Sequence, residues 1–415
     1  MPAKSSGKGK PARVKPAPKK SQPGGGGRIL TTHVGSLIRP PELQELLKAQ
    51  RDKQPYDTAA FAACLHDCVA DVVRRQADIG LDIVNDGEYG KTISWSRYVL
   101  QRMSGFEHRE RPGDAGMPAA VAGRDRREFA AFYADYDRSQ GLTGMTGWAL
   151  TGPIRYTGHT AIERDIANLK AAAKGAKTAD LFMAAVAPAS VAPDRADEYY
   201  KSDEEYVFAV ADALREEYKA IVDAGLILQV DDAYLAHTYE VMVPPKTPKD
   251  YRKWAAPRIE ALNHALKGLP EERTRYHVCW GSWNGPHAFD VELKDIVDLV
   301  LKVRVGGYLL EMANPRHEHE WRVWEKVKLP KGRKVIPGVI SHQTNVVEHP
   351  ELVAERVVRL AKLVGRDNLI AGTDCGFAQG PFVQRVHPSI MWAKLRALVE
   401  GAGLASRQLG MRRAA

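Results

Sequence analysis

Four cysteines in 415 residues are too few for a disulfide-stapled scaffold. They fit a reducing cytoplasm, where thiols stay free for metal binding or catalysis. No run of about 18 apolar residues occurs, so the sequence offers no helical membrane span. Acids are absent from residues 1–27, which hold seven Lys and Arg among Pro, Gly and Ser. Such a composition cannot bury a core, and without an apolar stretch it is no secretory signal. A disordered basic tether is expected there. It accounts for seven of the nine net positive charges, so the remainder is nearly neutral and nucleic acid is not an expected partner.

What the chain does have is apolar patterning: 44% of its residues are hydrophobic, enough for one large core. Eight short strand-like runs are expected at 29–34, 81–85, 181–187, 226–230, 276–280, 307–312, 334–340 and 369–373. Between most of them lie helical stretches with apolar positions three and four apart, such as Val207, Val210, Leu214, Tyr218 and Ile221. Strand and helix alternating eight times predict an α/β fold, a (β/α)8 TIM barrel over residues 28–405, followed by a short C-terminal tail at 406–415. The gap between the second and third runs, 89–180, is far longer than a crossover needs. It predicts an insertion that caps the barrel mouth, holding Trp95, Trp148 and a Gly- and Thr-rich stretch at 141–159.

Chemistry collects at the ends of these runs. His277 and Cys279 are alternate residues of one strand and share a face. With Glu311 and Cys375 they form a tetrahedral donor set of one imidazole, two thiolates and one carboxylate, which suits Zn²⁺ better than magnesium or calcium. Zinc with a weak oxygen ligand can exchange it for an incoming thiol, which is the chemistry of S-alkylation. Ser36, Glu88, Asp231 and His342 stand at other strand ends, where barrel active sites are built. Three features were weighed and set aside. Cys64, Cys68 and Val72 read as one apolar helix stripe. The run 316–320 (Arg-His-Glu-His-Glu) reads as a solvated charged turn, and His33 and His287 are assigned no role.

The motifs Thr31-Thr32-His33-Val34-Gly35-Ser36, Gly87-Glu88-Tyr89, Val230-Asp231-Asp232, His277-Val278-Cys279, Glu311 and Thr373-Asp374-Cys375-Gly376, in order from about 29 to 401, resemble the catalytic half of cobalamin-independent methionine synthase. The resemblance implies that His277, Cys279, Glu311 and Cys375 bind zinc. It implies that Ser36, Glu88 and Asp231 hold the amino-acid part of homocysteine, and that His342 shuttles a proton. Three departures stand out. A second, N-terminal barrel is missing, Thr373 replaces a usual proline, and the stretch 187–194 lacks the aromatic on which the family stacks folate. The stretch from Cys279 to His287 is more similar to single-barrel relatives, which include epoxyalkane:coenzyme M transferases.

The expected function is therefore a cytoplasmic zinc-dependent S-methyltransferase of methionine biosynthesis, acting on homocysteine and an alkyl donor, with homo-oligomerisation open. The alternatives are a zinc enzyme that opens epoxides with coenzyme M and, from another class, a non-catalytic zinc-binding barrel. Two acids at Glu88 and Asp231 suit an ammonium-bearing thiol rather than a sulfonate.

Overall fold

The computed structural model describes residues 27–52, 54–109, 122–139 and 147–411. The basic tail, apart from Gly27, lies outside the described residues, as does 141–146 of the Gly- and Thr-rich stretch. Eight parallel strands curl into a nearly closed barrel: Leu30–Thr31, Ile83–Val84, Asp180–Val186, Ile227–Asp232, Thr274–Val278, Gly307–Leu310, Lys334–Ile340 and Ile370–Thr373. They pair in the order first, eighth, seventh and so on down to second. At the remaining seam, Asp82 N donates to Thr31 O at 3.3 Å and Thr31 N to the Asp82 carboxylate at 2.8 Å. With helices in the crossovers, this is the expected (β/α)8 TIM barrel.

Period-two alternation decides what fills the barrel. An apolar cluster inside it is made of Leu30, Ile83, Phe182, Ile227, Leu309, Ile336 and Ile370. One step up lie Gln229 and Arg275, register partners on the fourth and fifth strands. The Arg275 guanidinium is buried 3.9 Å from the Phe182 ring centroid and donates to Thr32 Oγ1 and His33 O. Burial pulls its pKa down to about 9 against the attraction of Asp231. Another step up, by roughly 7 Å, come the register partners Asp231 and His277. The site is thus the top layer of a stack set by alternation.

The outer core is made by helices such as Asp203–Asp223, which buries Val207, Val210, Leu214, Tyr218 and Ile221 at three- and four-residue spacing. Each such side chain contributes about 1.5–3 kcal/mol. Ser202 caps this helix by accepting from Glu205 N at 3.1 Å, and three acids in its first turn favour the N-terminal dipole. The last helix, Pro388–Gln408, runs past the expected boundary at 405. Its buried Ser406 accepts from Ile29 N at 2.9 Å, which ties it to the first strand. Among the described residues no helix is long and apolar enough to cross a membrane.

The long second crossover divides in two. His159–Ala172 is an ordinary barrel helix packed on Thr58–Asp78 and Asp203–Asp223, so the insertion proper ends near 158. Its described parts are a 3-10 turn at Arg97–Gln101, two short helices (Arg124–Glu128 and Ala130–Ser139) and a hairpin of Phe106–Arg109 with Gly147–Leu150. A buried ion pair anchors it: Arg102 reaches Asp165 at 2.6 Å and Glu217 at 3.2 Å.

Candidate active site

The carboxyl ends of the strands open into a cavity of about 300 Å³, bordered by Ser36, Glu88, Asp231, His277, Cys279 and Cys375. One donor atom from each of His277, Cys279 and Cys375 lies within 4.8 Å of the others, and all three residues are buried. The two sulfurs are 3.6 Å apart. Gly281 N donates to Cys279 Sγ at 3.3 Å. His277 Nδ1 lies 3.3 Å from Asp231 Oδ1, and Nε2 lies 3.3 Å from Asp374 O, beside Cys375. The hydrogen bond from Cys375, and then burial, pushes the Cys279 thiol well above its usual range. Burial would lower the His277 pKa, but Asp231, Cys375 and Glu311 reverse this and raise it to about 9. Two buried thiols side by side with an imidazole call for a bound cation, which would remove the penalty for ionising both.

Glu311 does not join this group. Its Oε1 accepts from Trp280 N at 3.1 Å and its Oε2 from Asn314 Nδ2 at 2.8 Å. Both carboxylate oxygens are thus engaged, one of them because the loop after the fifth strand presents an N–H that needs an acceptor. Ser36 and Glu88 line the cavity. Gly376 must be glycine here, since a Cβ would lie 1.9 Å from Ser36 Oγ. Glu88 takes a left-handed backbone with φ 61° and pairs with Lys91 at 2.9 Å. Burial raises its pKa, with Lys91 opposing. Asp231 accepts from Gln229 Nε2 at 2.7 Å as well as facing His277.

His342 is fully buried and is not among the cavity-lining residues. Neither ring nitrogen makes a hydrogen bond of good geometry, although the ring lies against the Ser282 backbone. Burial, followed by the nearby Arg385 charge, holds its pKa well below 6.5 and keeps it neutral. The run 316–320 departs from expectation. His317 and Glu320 are buried rather than solvated. His317 Nε2 and His287 Nδ1 share Asp290 Oδ2 at 3.1 and 2.9 Å, so a packed network replaces the solvated turn. Among the described residues it does not form a group of metal-ligand geometry. Cys68 is buried as expected, with its sulfur 3.8 Å from Cys64.

Sequence reasoning missed most of the cavity's upper wall: Tyr136, Tyr234, Trp283, Arg126 and Arg385. Trp95 was anticipated in the insertion, and it lines the cavity. Trp148 does not; its ring meets His108 edge-on at 5.3 Å. Aromatic side chains from other loops line the cavity, and no local pattern marks such residues. Only their placement in long strand-end loops could have singled them out.

The fold is a (β/α)8 barrel with a His/Cys/Cys group at its strand ends, and comparison with known proteins gives its family. The family profile described as the catalytic domain of cobalamin-independent synthase matches residues 189–400, and the chain belongs to that family. The 2-hydroxypropyl-CoM lyase of Xanthobacter autotrophicus is 27% identical over 386 residues, covering 86% of this chain and 89% of its own. The methionine synthase of Sulfolobus acidocaldarius is 24% identical over 349 residues, covering 83% and 85%. The structure of a B12-independent methionine synthase from Shewanella sp. W3-18-1, in complex with selenomethionine, superposes with a TM-score of 0.68 at 22% identity, over 92% of this chain and 99% of that one. This last likeness supports the fold.

Proposed function

We propose that the protein is a zinc-dependent thiol alkyltransferase whose reaction is methyl transfer to homocysteine. The observation that carries this reading is the buried His277, Cys279 and Cys375 group in a cavity that Glu88 and Asp231 also line. The donor set fits zinc. Its 3.6 Å sulfur separation is close to the roughly 3.8 Å spanned by two Zn–S bonds of ~2.3 Å at a tetrahedral angle. Asp231 on His277 Nδ1 is the outer carboxylate that ligating histidines usually carry, which leaves Nε2 as the donor. Three protein donors leave a fourth position open, as in catalytic zinc sites. Zinc bound there would supply the positive charge that lowers the pKa of an incoming thiol into the neutral range.

The chain's own groups do the rest. Ser36, through its hydroxyl and neighbouring N–H groups, receives the substrate carboxylate, and Glu88 with Asp231 receives the ammonium. Glu311 fixes the Trp280 N–H and so positions Cys279, its immediate neighbour. Trp95, Tyr234 and Trp283 exclude water and offer flat faces to the methyl donor. His342, neutral in the free protein, relays the proton of an amine leaving group; its ring lies against the Ser282 backbone, and Ser282 lines the cavity.

A second reading, epoxide opening by coenzyme M, is favoured by one observation. Lys91 neutralises Glu88, so the cavity is less acidic than the sequence suggests. Incubating the zinc-loaded protein with homocysteine or coenzyme M, and reading thiol alkylation against methyl and epoxide donors, separates the two. Alkylation of coenzyme M alone would overturn the first reading, and alkylation of neither thiol would overturn both.

A further inference from the structure

The cations around the cavity are mostly neutralised. Arg126 pairs with Asp137 at 2.7 Å, Lys91 with Glu88 at 2.9 Å and Arg97 with Asp194 at 3.0 Å. Arg385 differs. It lines the cavity, yet its guanidinium is held only by neutral acceptors: Nε donates to Gln379 Oε1 at 2.7 Å and Nη1 to the Tyr136 hydroxyl at 3.1 Å. Among the described residues it has no carboxylate partner, and Nη2 has no protein acceptor. The cation is oriented but not neutralised.

Its position is built into the zinc-ligand loop. After Cys375 the chain folds back, with Arg385 N donating to Phe377 O at 3.2 Å and Gln379 Nε2 to Gly376 O at 2.5 Å. A Gly380–Val383 bridge closes the turn, and Trp95 N donates to Gln379 O at 2.9 Å, which locks the loop to the insertion. One loop therefore carries a metal-type cysteine at its start and a free guanidinium at its return.

We propose that Arg385, oriented by Gln379 and Tyr136, is a specificity-determining anion site that binds a carboxylate or sulfonate carried by a substrate. This rests on the thiol alkyltransferase reading. A planar guanidinium fork matches either oxyanion, and a cation without a protein counter-charge in a half-buried, aromatic-walled cavity gains most from a ligand that supplies one. The anion could reside on the thiol, as in coenzyme M, or on the alkyl donor, as in the glutamate portion of a folate.

Calorimetric titration of the zinc-loaded full chain with matched probes tests this. One pair is 2-mercaptoethanesulfonate against 2-mercaptoethanol; the other is p-aminobenzoylglutamate against p-aminobenzamide. The parent is expected to bind the anionic member of one pair about 10- to 100-fold more tightly than its neutral counterpart. Arg385→Gln should abolish that preference with zinc content unchanged, while Arg385→Lys, which keeps the charge without the fork, should restore part of it. The discriminating pair identifies whether thiol or donor carries the anion. Equal binding within both pairs by the parent, or full discrimination surviving in Arg385→Gln, overturns the proposal. Failure of the alkyltransferase reading looks different: the parent would take up no zinc or bind neither thiol, whatever happens at position 385.

Discussion

The cavity floor comes from barrel strands, and its side chains are fixed by partners on adjacent strands: Asp231 faces His277 across the ladder, Cys279 N donates to Asp232 O at 2.9 Å, and Glu311 holds Trp280 N. The rim comes from loops and from the insertion, and its side chains are fixed by one another. Trp283 donates from Nε1 to the Tyr133 hydroxyl at 3.0 Å and lies 4.6 Å from the His287 ring, while Arg385 rests on Tyr136 and Gln379. A floor set by strand register has its backbone positions fixed by the barrel, whereas a rim set by side-chain contacts can be rebuilt.

The sharpest break of that comparison lies in the metal. Changing Cys279→Ser together with Cys375→Ser should remove zinc and lower thiol alkylation by more than ~10³-fold with the circular dichroism of the barrel retained, because the apolar layers below are built separately. Trp95→Ala on the rim should leave zinc stoichiometry untouched. Zinc lost from the rim variant, or kept in full by the double cysteine variant, would erase the distinction between floor and rim.

A smaller effect is expected at the two acids, and they should differ. Asp231→Asn removes both an ammonium partner and the group that holds His277 Nδ1. It should weaken homocysteine binding by about 2–4 kcal/mol and zinc affinity by ~10–100-fold. Glu88→Gln should raise KM for homocysteine with zinc unchanged, since Lys91 already shares its charge. Equal zinc affinities in the two variants would show that Asp231 has no part in holding the ligand.

The fold was readable because barrel strands are short apolar runs with fixed alternation: Ile227, Gln229 and Asp231 repeat every second residue, and the same parity places Arg275, His277 and Cys279 in one column. His277 and Cys279 were readable for the same reason, whereas Cys375 lies beyond the end of the eighth strand, off the parity of the inward Ile370. Glu311 shares the inward parity of Leu309, but parity does not reveal that Trp280 N and Asn314 compete for its oxygens. Lys91 neutralising Glu88 depends on a left-handed residue that reverses the chain within three positions. The run 316–320 reads as a solvated turn because charge in sequence carries no information about burial, yet its His317 is buried against Asp290, which His287 also meets.

His342 probes the connection between floor and rim. With an amine-leaving methyl donor, His342→Ala should slow turnover by ~10²-fold, the lower end of general-acid effects, since burial keeps the ring neutral. Zinc and thiol binding should persist. With a donor whose leaving group needs no proton, the rate should hardly change. Equal slowing with both donors would make the residue a packing element.

The smallest expected effect lies in the network between the two regions, where the His317 ring sits 4.7 Å from that of Trp280 and the His287 ring 4.6 Å from that of Trp283. Burial alone would lower the His317 pKa, but its hydrogen bond to Asp290, the Glu320 carboxylate 3.5 Å from its Nδ1 and the nearby Glu311 raise it to about 10. A pKa raised from 6.5 means that the protonated form is favoured by folding. Its contribution to stability is fully present below pH 6.5 and is lost as pH rises through about 10. The melting temperature should therefore fall by a few degrees between neutral pH and pH 10, and His317→Gln should flatten that slope while lowering stability at neutral pH. The floor should be insulated from this change, so zinc content measured at pH 7 should match the parent. A His317→Gln variant with the parent's slope would show that this imidazole is not the group that ties the stability of the floor and rim to pH.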